Sequence, residues 1–191
     1  MYYLELPNFP TIVLTDRYQR PEPAGITPCN HWPIKIEFFK KEIIDFFLDH
    51  SLELKDGGIF KKSAGATGAV HTDTVWDNSQ SAWVLWHCAV NINLDNTNSL
   101  MYWISTTATE VYPPVKTVKL AGIHYGTRNN NKFQDHADYN ILDSFCITTP
   151  TLVRTDVAHS VRNLDNKDRW CVSLRFKGNP TIEECAKKLC V

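Results

Sequence analysis

The chain has almost no net charge and no long hydrophobic run. Its 191 residues include 20 basic and 21 acidic side chains, which leaves a formal net charge of −1. This balance does not favour nucleic acid or an anionic membrane as a partner, since both attract strongly basic surfaces. No apolar run approaches the roughly 20 residues of a membrane-spanning helix. Residues 1–7 also lack the basic and apolar segments of a secretion signal, so we expect a cytoplasmic protein.

Closely spaced cysteine pairs and internal repeats are also absent. The six cysteines are scattered, without a Cys-x-x-Cys pair, so the sequence does not indicate a zinc finger. A chain of this length does not need disulfides to fold, and we expect reduced thiols. What the chain does have is 43% hydrophobic and 12% aromatic residues, enough for the core of a single domain.

The spacing of the apolar residues predicts a mainly β fold with flanking helices. Helical spacing over residues 35–50 predicts a helix, and Thr181 with Glu184 forms a capping-box pattern at the start of a second helix. Between these helices, short β-like runs separated by turn-forming clusters indicate a sandwich or barrel. The predicted strands are 59–62, 68–74, 82–94, 100–105, 115–120, 144–148, 151–155 and 169–176.

Two segments lack periodicity and are predicted to be loops. Residues 17–33 are punctuated by prolines, and residues 121–143 are polar and irregular. Long irregular segments in compact domains often form lids or binding loops, so both are candidates for shaping access to a site. The adjacent Lys61 and Lys62 are interpreted as a solvated strand edge.

A candidate metal site begins with His71 and Asp73. Residues two apart in a strand point to the same face, so the imidazole and the carboxylate can ligate one ion. His159, which follows a strand-like run, is the candidate third ligand. Two histidines and one carboxylate on one side of a metal leave three positions open, as in the non-haem iron(II) oxygenases.

A second His-x-Asp pair, His136 and Asp138, competes with the first. It lies in a polar segment without strand character, only 23 residues before His159. His71 lies 88 residues before His159, a separation that leaves room for several intervening strands. We therefore favour His71 and Asp73 as the ligands.

The strand predicted over residues 169–176 has one polar and one apolar face. Alternation places four polar or small side chains on one face and only apolar side chains on the other. The four are Arg169, Cys171, Ser173 and Arg175. Arginines on the inner face of a strand are costly unless they meet an anion, and a carboxylate fits the guanidinium fork.

These features together resemble the Fe(II)- and 2-oxoglutarate-dependent dioxygenases. His71-x-Asp73, the distant His159 and a basic residue ten positions later follow the order of that family's motif, across roughly residues 59–176. The resemblance implies a double-stranded β-helix, or jelly roll, with Fe(II) held by His71, Asp73 and His159. It also implies that Arg169 binds the distal carboxylate of 2-oxoglutarate.

Two neighbours on the same strand face extend the implied cosubstrate site. Ser173 is a candidate second contact, and Arg175 is the alternative to Arg169 as the carboxylate-binding arginine. The activity implied by the family uses dioxygen to convert 2-oxoglutarate to succinate and carbon dioxide and to hydroxylate a C–H bond. The sequence leaves the substrate open among a small molecule, an amino-acid side chain and a nucleobase, and the neutral net charge argues against nucleic acid.

A weaker resemblance points to the aspartyl/asparaginyl β-hydroxylase branch, which has an inward histidine close to the 2-oxoglutarate carboxylate. His87 takes that place here and alternates onto one face with Asn91 and Asn93. The chain departs from that branch by keeping Asp73 and by having Leu85 where a basic residue is expected.

The resemblance divides a single domain into three parts. These are a loop and helix region at 1–56, a jelly-roll core at 57–178 and a C-terminal helix at 179–191. The same architecture also serves non-redox, cupin-like modules that bind a metal or a small molecule. In that alternative Arg169 would be structural.

Overall fold

The chain forms two antiparallel sheets with helices against one of them. The computed structural model describes residues 1–10, 13–22, 29–68, 70–77, 80–106, 111–112, 122–125, 127–129, 132–134 and 139–190. The first strands are β1 (Tyr3–Glu5), β2 (Cys29–Ile34), β3 (Leu54–Lys62), β4 (His71–Asp77), β5 (Ala82–Leu85), β6 (Cys88–Asn93) and β7 (Ser99–Thr106). The later strands are β8 (Val111–Tyr112), β9 (Gly122–Tyr125), β10 (Thr127–Asn129), β11 (Lys132–Gln134), β12 (Tyr139–Ile147), β13 (Thr151–Arg154), β14 (His159–Asn163) and β15 (Arg169–Phe176). The helices are a 3-10 turn (Ile36–Phe38), α1 (Lys41–Asp49) and α2 (Ile182–Leu189).

Successive core strands alternate between the two sheets. One sheet has the order β1-β13-β6-β15-β3-β2, and the other has the order β12-β7-β14-β4-β9-β8, with β5 paired to β4. The chain crosses between the sheets from β3 to β4, from β5 to β6, from β6 to β7, from β12 to β13, from β13 to β14 and from β14 to β15. This alternation is the topology of a double-stranded β-helix, so the predicted jelly roll is confirmed.

The buried hydrophobic side chains of the described residues form three clusters, two of which lie on opposite faces of the sheet that contains β15. On the outer face, Phe47 of α1 and Ile182 of α2 belong to the same buried cluster as Val172 and Leu174 of β15. Each such aliphatic or aromatic side chain contributes about 1.5–3 kcal/mol when it is fully buried, which fixes the helices to the sheet. Between the two sheets lies a second buried cluster, formed by Ala89, Met101, Trp103, Ile147 and Val153.

Both predicted helices are present, and the first is shorter than predicted. Within residues 35–50, the extended backbone of Phe39 and Lys40 separates the 3-10 turn from α1. Helix α2 begins as the capping box predicts. The Glu184 N–H donates to Thr181 Oγ1 at 3.2 Å, and the Thr181 N–H donates to Glu184 Oε2 at 2.8 Å. None of the described helices combines the length and the apolar content needed to cross a membrane.

The single strand predicted over residues 82–94 is wrong. Two strands, β5 and β6, occupy this segment, and β6 belongs to the other sheet. Trp86, only 2% exposed, lies between these two strands, and its backbone N–H donates to the backbone carbonyl of Asp73 at 2.9 Å. Because His87 therefore precedes β6, its predicted alternation with Asn91 and Asn93 along one strand does not hold.

The loop predicted over residues 17–33 is wrong at its C-terminal end. Strand β2 spans Cys29–Ile34 and pairs with β3 at the edge of its sheet. Pro33 is tolerated there because an edge strand leaves one side of its backbone without a β partner. The prolines therefore led to the prediction of a loop where a strand extends the core toward the N-terminus.

The segment predicted to be irregular, residues 121–143, contains further strands. β9, β10, β11 and the start of β12 lie within it, and β10 pairs with β11 as a separate hairpin. His136, Asp138 and the strand predicted at 115–120 lie outside the described residues. The division of the chain at residues 57 and 179 stays a prediction, although β2 precedes its first boundary.

Candidate metal centre

Three side chains that are far apart in the sequence meet where β4 and β14 separate. His71 is the first residue of β4, His159 is the first residue of β14, and the two are direct register partners. Asp73 follows two residues further along β4. One ligand atom from each of the three side chains lies within 4.8 Å of the other two. The structure thus brings together the three residues that the sequence suggested as metal ligands.

The backbone around Asp73 explains this position. The described pairing of β4 with β14 consists of His71 opposite His159. Beyond that pair, the Asp73 N–H donates to the Thr155 carbonyl at 2.9 Å, and the Asp73 carbonyl accepts from Trp86. These bonds fix the Asp73 backbone just past the point where the strands part, on the same strand face as His71.

The ligand atoms face one another across a short gap. Asp73 Oδ1 lies 3.5 Å from His71 Nε2 and 3.8 Å from His159 Nε2. The centroids of the two imidazole rings are 4.5 Å apart. Two imidazole nitrogens and one carboxylate oxygen on one side of a space form the donor set that suits a divalent first-row metal with open positions.

His159 is held in the form that a metal requires. Its Nδ1 lies 2.8 Å from the Val157 carbonyl, which fixes the tautomer with the proton on Nδ1 and leaves the Nε2 lone pair free. Burial, followed by the positive charge of His71, lowers the pKa of His159 to about 4. The imidazole is therefore neutral near pH 7 and available as a ligand.

Asp73 is ionised despite its burial. Burial opposes ionisation, but the hydrogen bond from His71 and the charges of His159, Arg175 and His71 hold the pKa of Asp73 well below its usual range. Arg175, which is 4% exposed, places Nη2 4.0 Å from Asp73 Oδ2 and stacks its guanidinium 5.5 Å from the ring centroid of Trp86. Arg175 therefore lies beside the metal ligands and favours the charged form of the carboxylate.

Arg169 lies at the opposite end of β15 from Arg175. The separation of six residue steps between them corresponds to about 20 Å of extended strand. Arg169 is 3% exposed; its Nε donates to Asn93 Oδ1 at 2.9 Å, and its Nη2 is buried without a hydrogen-bond partner among the described residues. Ser173, also buried, lies between the two arginines on the same face. A buried guanidinium with an unsatisfied donor calls for an acceptor, and a carboxylate supplies one.

The described side-chain contact of His87 is with a residue outside the His71, Asp73 and His159 cluster. Its Nδ1 lies 3.0 Å from Asp156 Oδ2, and its backbone N–H donates to Asn179 Oδ1 at 3.1 Å. About a third of the side chain is exposed. The described contact of the His87 ring is thus with the segment between β13 and β14, and its backbone contacts the segment that leads to α2.

His31 is a residue near the site that sequence reasoning missed. Burial, followed by the charge of Arg175, lowers the pKa of His31 to about 4, while Asp73 acts in the opposite direction. The ring packs on Phe60 with centroids 4.4 Å apart, and its Nε2 is buried with no hydrogen-bond partner in the described part of the chain. A Cβ on Gly58 would lie 2.3 Å from that nitrogen, so the glycine provides the space for the ring. Alternation along β2 was the only available signal, and the prolines had assigned that segment to a loop.

Lys62 was also missed, because the solvated edge predicted for Lys61 and Lys62 is wrong for Lys62. Lys61 pairs with Asp168 at 2.7 Å, whereas Lys62 is 6% exposed and its Nζ donates to the Val161 carbonyl at 2.9 Å. Neighbouring residues on a strand point to opposite faces, so only one of two adjacent lysines can face solvent here. Lys62 faces the space between the sheets with Arg169, its direct register partner.

Comparisons with known proteins give little beyond general likeness. No family model matches the chain, and no curated protein matches it. Among solved structures, HygX from Streptomyces hygroscopicus with nickel and 2-oxoglutarate bound is 10% identical, with a TM-score of 0.40 over 84% of this chain and 74% of HygX. HygX with nickel, 2-oxoglutarate and hygromycin B bound is 11% identical, with a TM-score of 0.37 over 81% and 72% of the two chains. At these values neither likeness carries a function over to this chain.

Proposed function

We propose that this protein is an Fe(II)- and 2-oxoglutarate-dependent dioxygenase that hydroxylates a small molecule or an amino-acid side chain. The observation that carries the proposal is the meeting of His71, Asp73 and His159 where β4 and β14 of a jelly roll separate. These residues come from two strands and leave one side of the shared space without a protein ligand among the described residues. We also propose a cytoplasmic location, on the sequence features described above.

The donor set fits Fe(II). His159 is neutral and oriented by Val157, and Asp73 is ionised beside Arg175, so both offer lone pairs without a proton to displace. When bound, Fe(II) and 2-oxoglutarate would supply the chemistry by which dioxygen yields succinate, carbon dioxide and a hydroxylated substrate. The chain's part is to hold the metal on one side, to orient the cosubstrate and to keep the site shielded by Trp86 and Arg175.

The residues on the inner face of β15 fit 2-oxoglutarate. Arg169 has a buried donor with no partner among the residues that the structure describes, whereas Arg175 already lies beside Asp73 and Trp86. This difference supports Arg169, rather than Arg175, as the group that would hold the distal carboxylate. The Ser173 hydroxyl, on the same face, would add a second contact.

A non-redox metal-binding module is the alternative that the experiment must separate. Metal-free protein is mixed with Fe(II) and 2-oxoglutarate without oxygen, and the visible metal-to-ligand charge-transfer band is recorded; oxygen is then admitted and succinate is assayed. We expect both signals in the wild type, and we expect His71→Ala to abolish both. The matched control, His136→Ala, should keep them. A wild-type protein that binds Fe(II) but gives neither signal would establish the binding module instead.

A further inference from the structure

Two cations face each other on the inner face of the jelly roll, at the end of β15 remote from Asp73. Lys62 of β3 and Arg169 of β15 are direct register partners in an antiparallel pair. Both are buried, Lys62 at 6% exposure and Arg169 at 3%. Like charges directly opposite each other on neighbouring strands destabilise a sheet, and burial removes the water that would screen them. An anion bound between the two side chains would offset this repulsion.

The protein supplies Arg169 with a neutral partner rather than an acid. Its described side-chain hydrogen bond goes to the amide oxygen of Asn93, and its Nη2 has no partner among the described residues. The adjacent acid, Asp168, pairs instead with Lys61 on the other face of β3. The position beside Arg169 therefore combines positive charge with an unused hydrogen-bond donor.

The Lys62 side chain extends toward β14, the strand that carries the metal ligand His159. Its Nζ donates to the carbonyl of Val161, which is two residues beyond His159 on β14. The charge of Lys62 is also one of the causes that lower the pKa of His159. Gly68 leaves room for the ammonium, since a Cβ there would lie 2.3 Å from Nζ. Lys62 thus reaches from the strand of the register pair toward the strand that carries a metal ligand.

We propose that Lys62 and Arg169 together form one anion-binding site, which selects a dicarboxylic acid as the cosubstrate. The inference rests on the proposed function and adds Lys62 to it. Arg169 donates through its fork to the distal carboxylate, and Lys62 supplies a second positive charge from β3. Because both groups are in place without a metal, the site binds diacids in the metal-free protein, more weakly than in the complete one.

The test measures diacid binding without metal or turnover. Metal-free protein in EDTA is titrated with 2-oxoglutarate, with glutarate, and with butyrate as a monoacid, at ionic strength matched with sodium chloride, and the melting temperature is followed. We expect both diacids to raise the melting temperature in a saturable way and butyrate to have little effect. Lys62→Met should weaken the apparent affinity for glutarate at least tenfold.

Two further variants provide controls for this test. Lys61→Met is the matched control, since it removes the neighbouring positive charge from the other strand face, and its glutarate affinity should stay within twofold of the wild type. Lys62→Gln keeps a donor for the Val161 carbonyl but lacks the charge, so it should lose as much glutarate affinity as Lys62→Met. It replaces Lys62→Met in the test if that variant does not fold. Wild-type glutarate affinity in both Lys62 variants, or an equal loss in Lys61→Met, would overturn the proposal. A wild-type protein with no response to diacids would overturn it too.

The outcomes separate this site from the proposed activity. If diacid binding depends on Lys62 but no charge-transfer band or succinate appears, the anion site stands and the oxygenase function fails. If succinate forms and Lys62→Met keeps the wild-type KM for 2-oxoglutarate, the function stands and the assignment of Lys62 fails.

Discussion

The candidate centre depends on single side chains being held in their ligating forms. The Val157 carbonyl fixes the tautomer of His159, and the hydrogen bond from His71, together with the charge of Arg175, favours the ionised form of Asp73. Neither effect is visible in the sequence, because the local hydrogen bonds depend on the backbone conformation and the contact of Arg175 with Asp73 joins distant strands. The residue types were predictable from spacing, whereas their protonation states were not.

Replacing Asp73 by Asn tests the contribution of the charged ligand. Asp73→Asn keeps the size of the side chain but removes the anionic oxygen, so we expect affinity for a divalent metal to fall by at least about 100-fold. Isothermal titration with Mn²⁺ measures this affinity. Asp156→Asn, which changes a carboxylate beside His87, is the control and should keep the wild-type value. Equal affinities in the wild type and Asp73→Asn would show that the trio is not the site.

The buried imidazole of His159 and the half-buried imidazole of His31 make the stability of the metal-free protein depend on pH. The pKa of His159 and that of His31 are each lowered to about 4, from about 6.5 in an unfolded chain. Between these values the unfolded state binds more protons than the folded state, so stability is fully present above pH 6.5 and is lost as the pH falls toward 4. We expect His159 alone to cost about 2 kcal/mol by pH 5, seen as a lower melting temperature in EDTA. A melting temperature that stays flat or rises between pH 7.5 and pH 5 would contradict these assignments.

Strand β15 has a structural apolar face and a polar face that belongs to the candidate site, because its side chains alternate. Its bounds, Arg169–Phe176, match the predicted strand, and its apolar side chains join the cluster beneath α1 and α2. Its other face carries the two arginines and Ser173 into the space between the sheets. Period-two alternation needs no tertiary information, which is why this element was predictable in detail.

The two faces of β15 should respond differently to truncation. Leu174→Ala removes a fully buried side chain from the outer cluster, so we expect a loss of roughly 2–5 kcal/mol in the free energy of unfolding. Glutarate affinity of the folded variant should be unchanged. Ser173→Ala should cost less than about 1.5 kcal/mol and weaken 2-oxoglutarate binding. Urea unfolding and thermal titration give the two quantities, and a reversed pattern would mean that the polar face is structural.

Other elements were harder to predict because tertiary contacts override local pattern. Residues 82–94 read as one continuous strand, but the chain turns at Trp86 and changes sheets. The proline-rich stretch before Ile34 read as a loop, but an edge position lets β2 accept Pro33. Because of the first error, His87 was predicted to lie within a strand that it in fact precedes. Because of the second, His31 was not considered as a residue near the site.

The two-sheet architecture brings the candidate centre together. His71 and His159 are 88 residues apart, yet they are register partners because the chain passes repeatedly between the sheets and returns β14 beside β4. Periodicity predicted many short strands, and the resemblance to a family of jelly-roll enzymes predicted their arrangement. Register and sheet order follow from long-range pairing, so they could not be read from local spacing alone.

The most direct test is to locate a bound metal. Crystals grown without oxygen in the presence of Mn²⁺ and 2-oxoglutarate would be measured near the manganese absorption edge, and an anomalous difference map calculated. We expect one strong peak within bonding distance of His71 Nε2, Asp73 and His159 Nε2. A peak at other residues, or none among these three at saturating metal, would contradict the account.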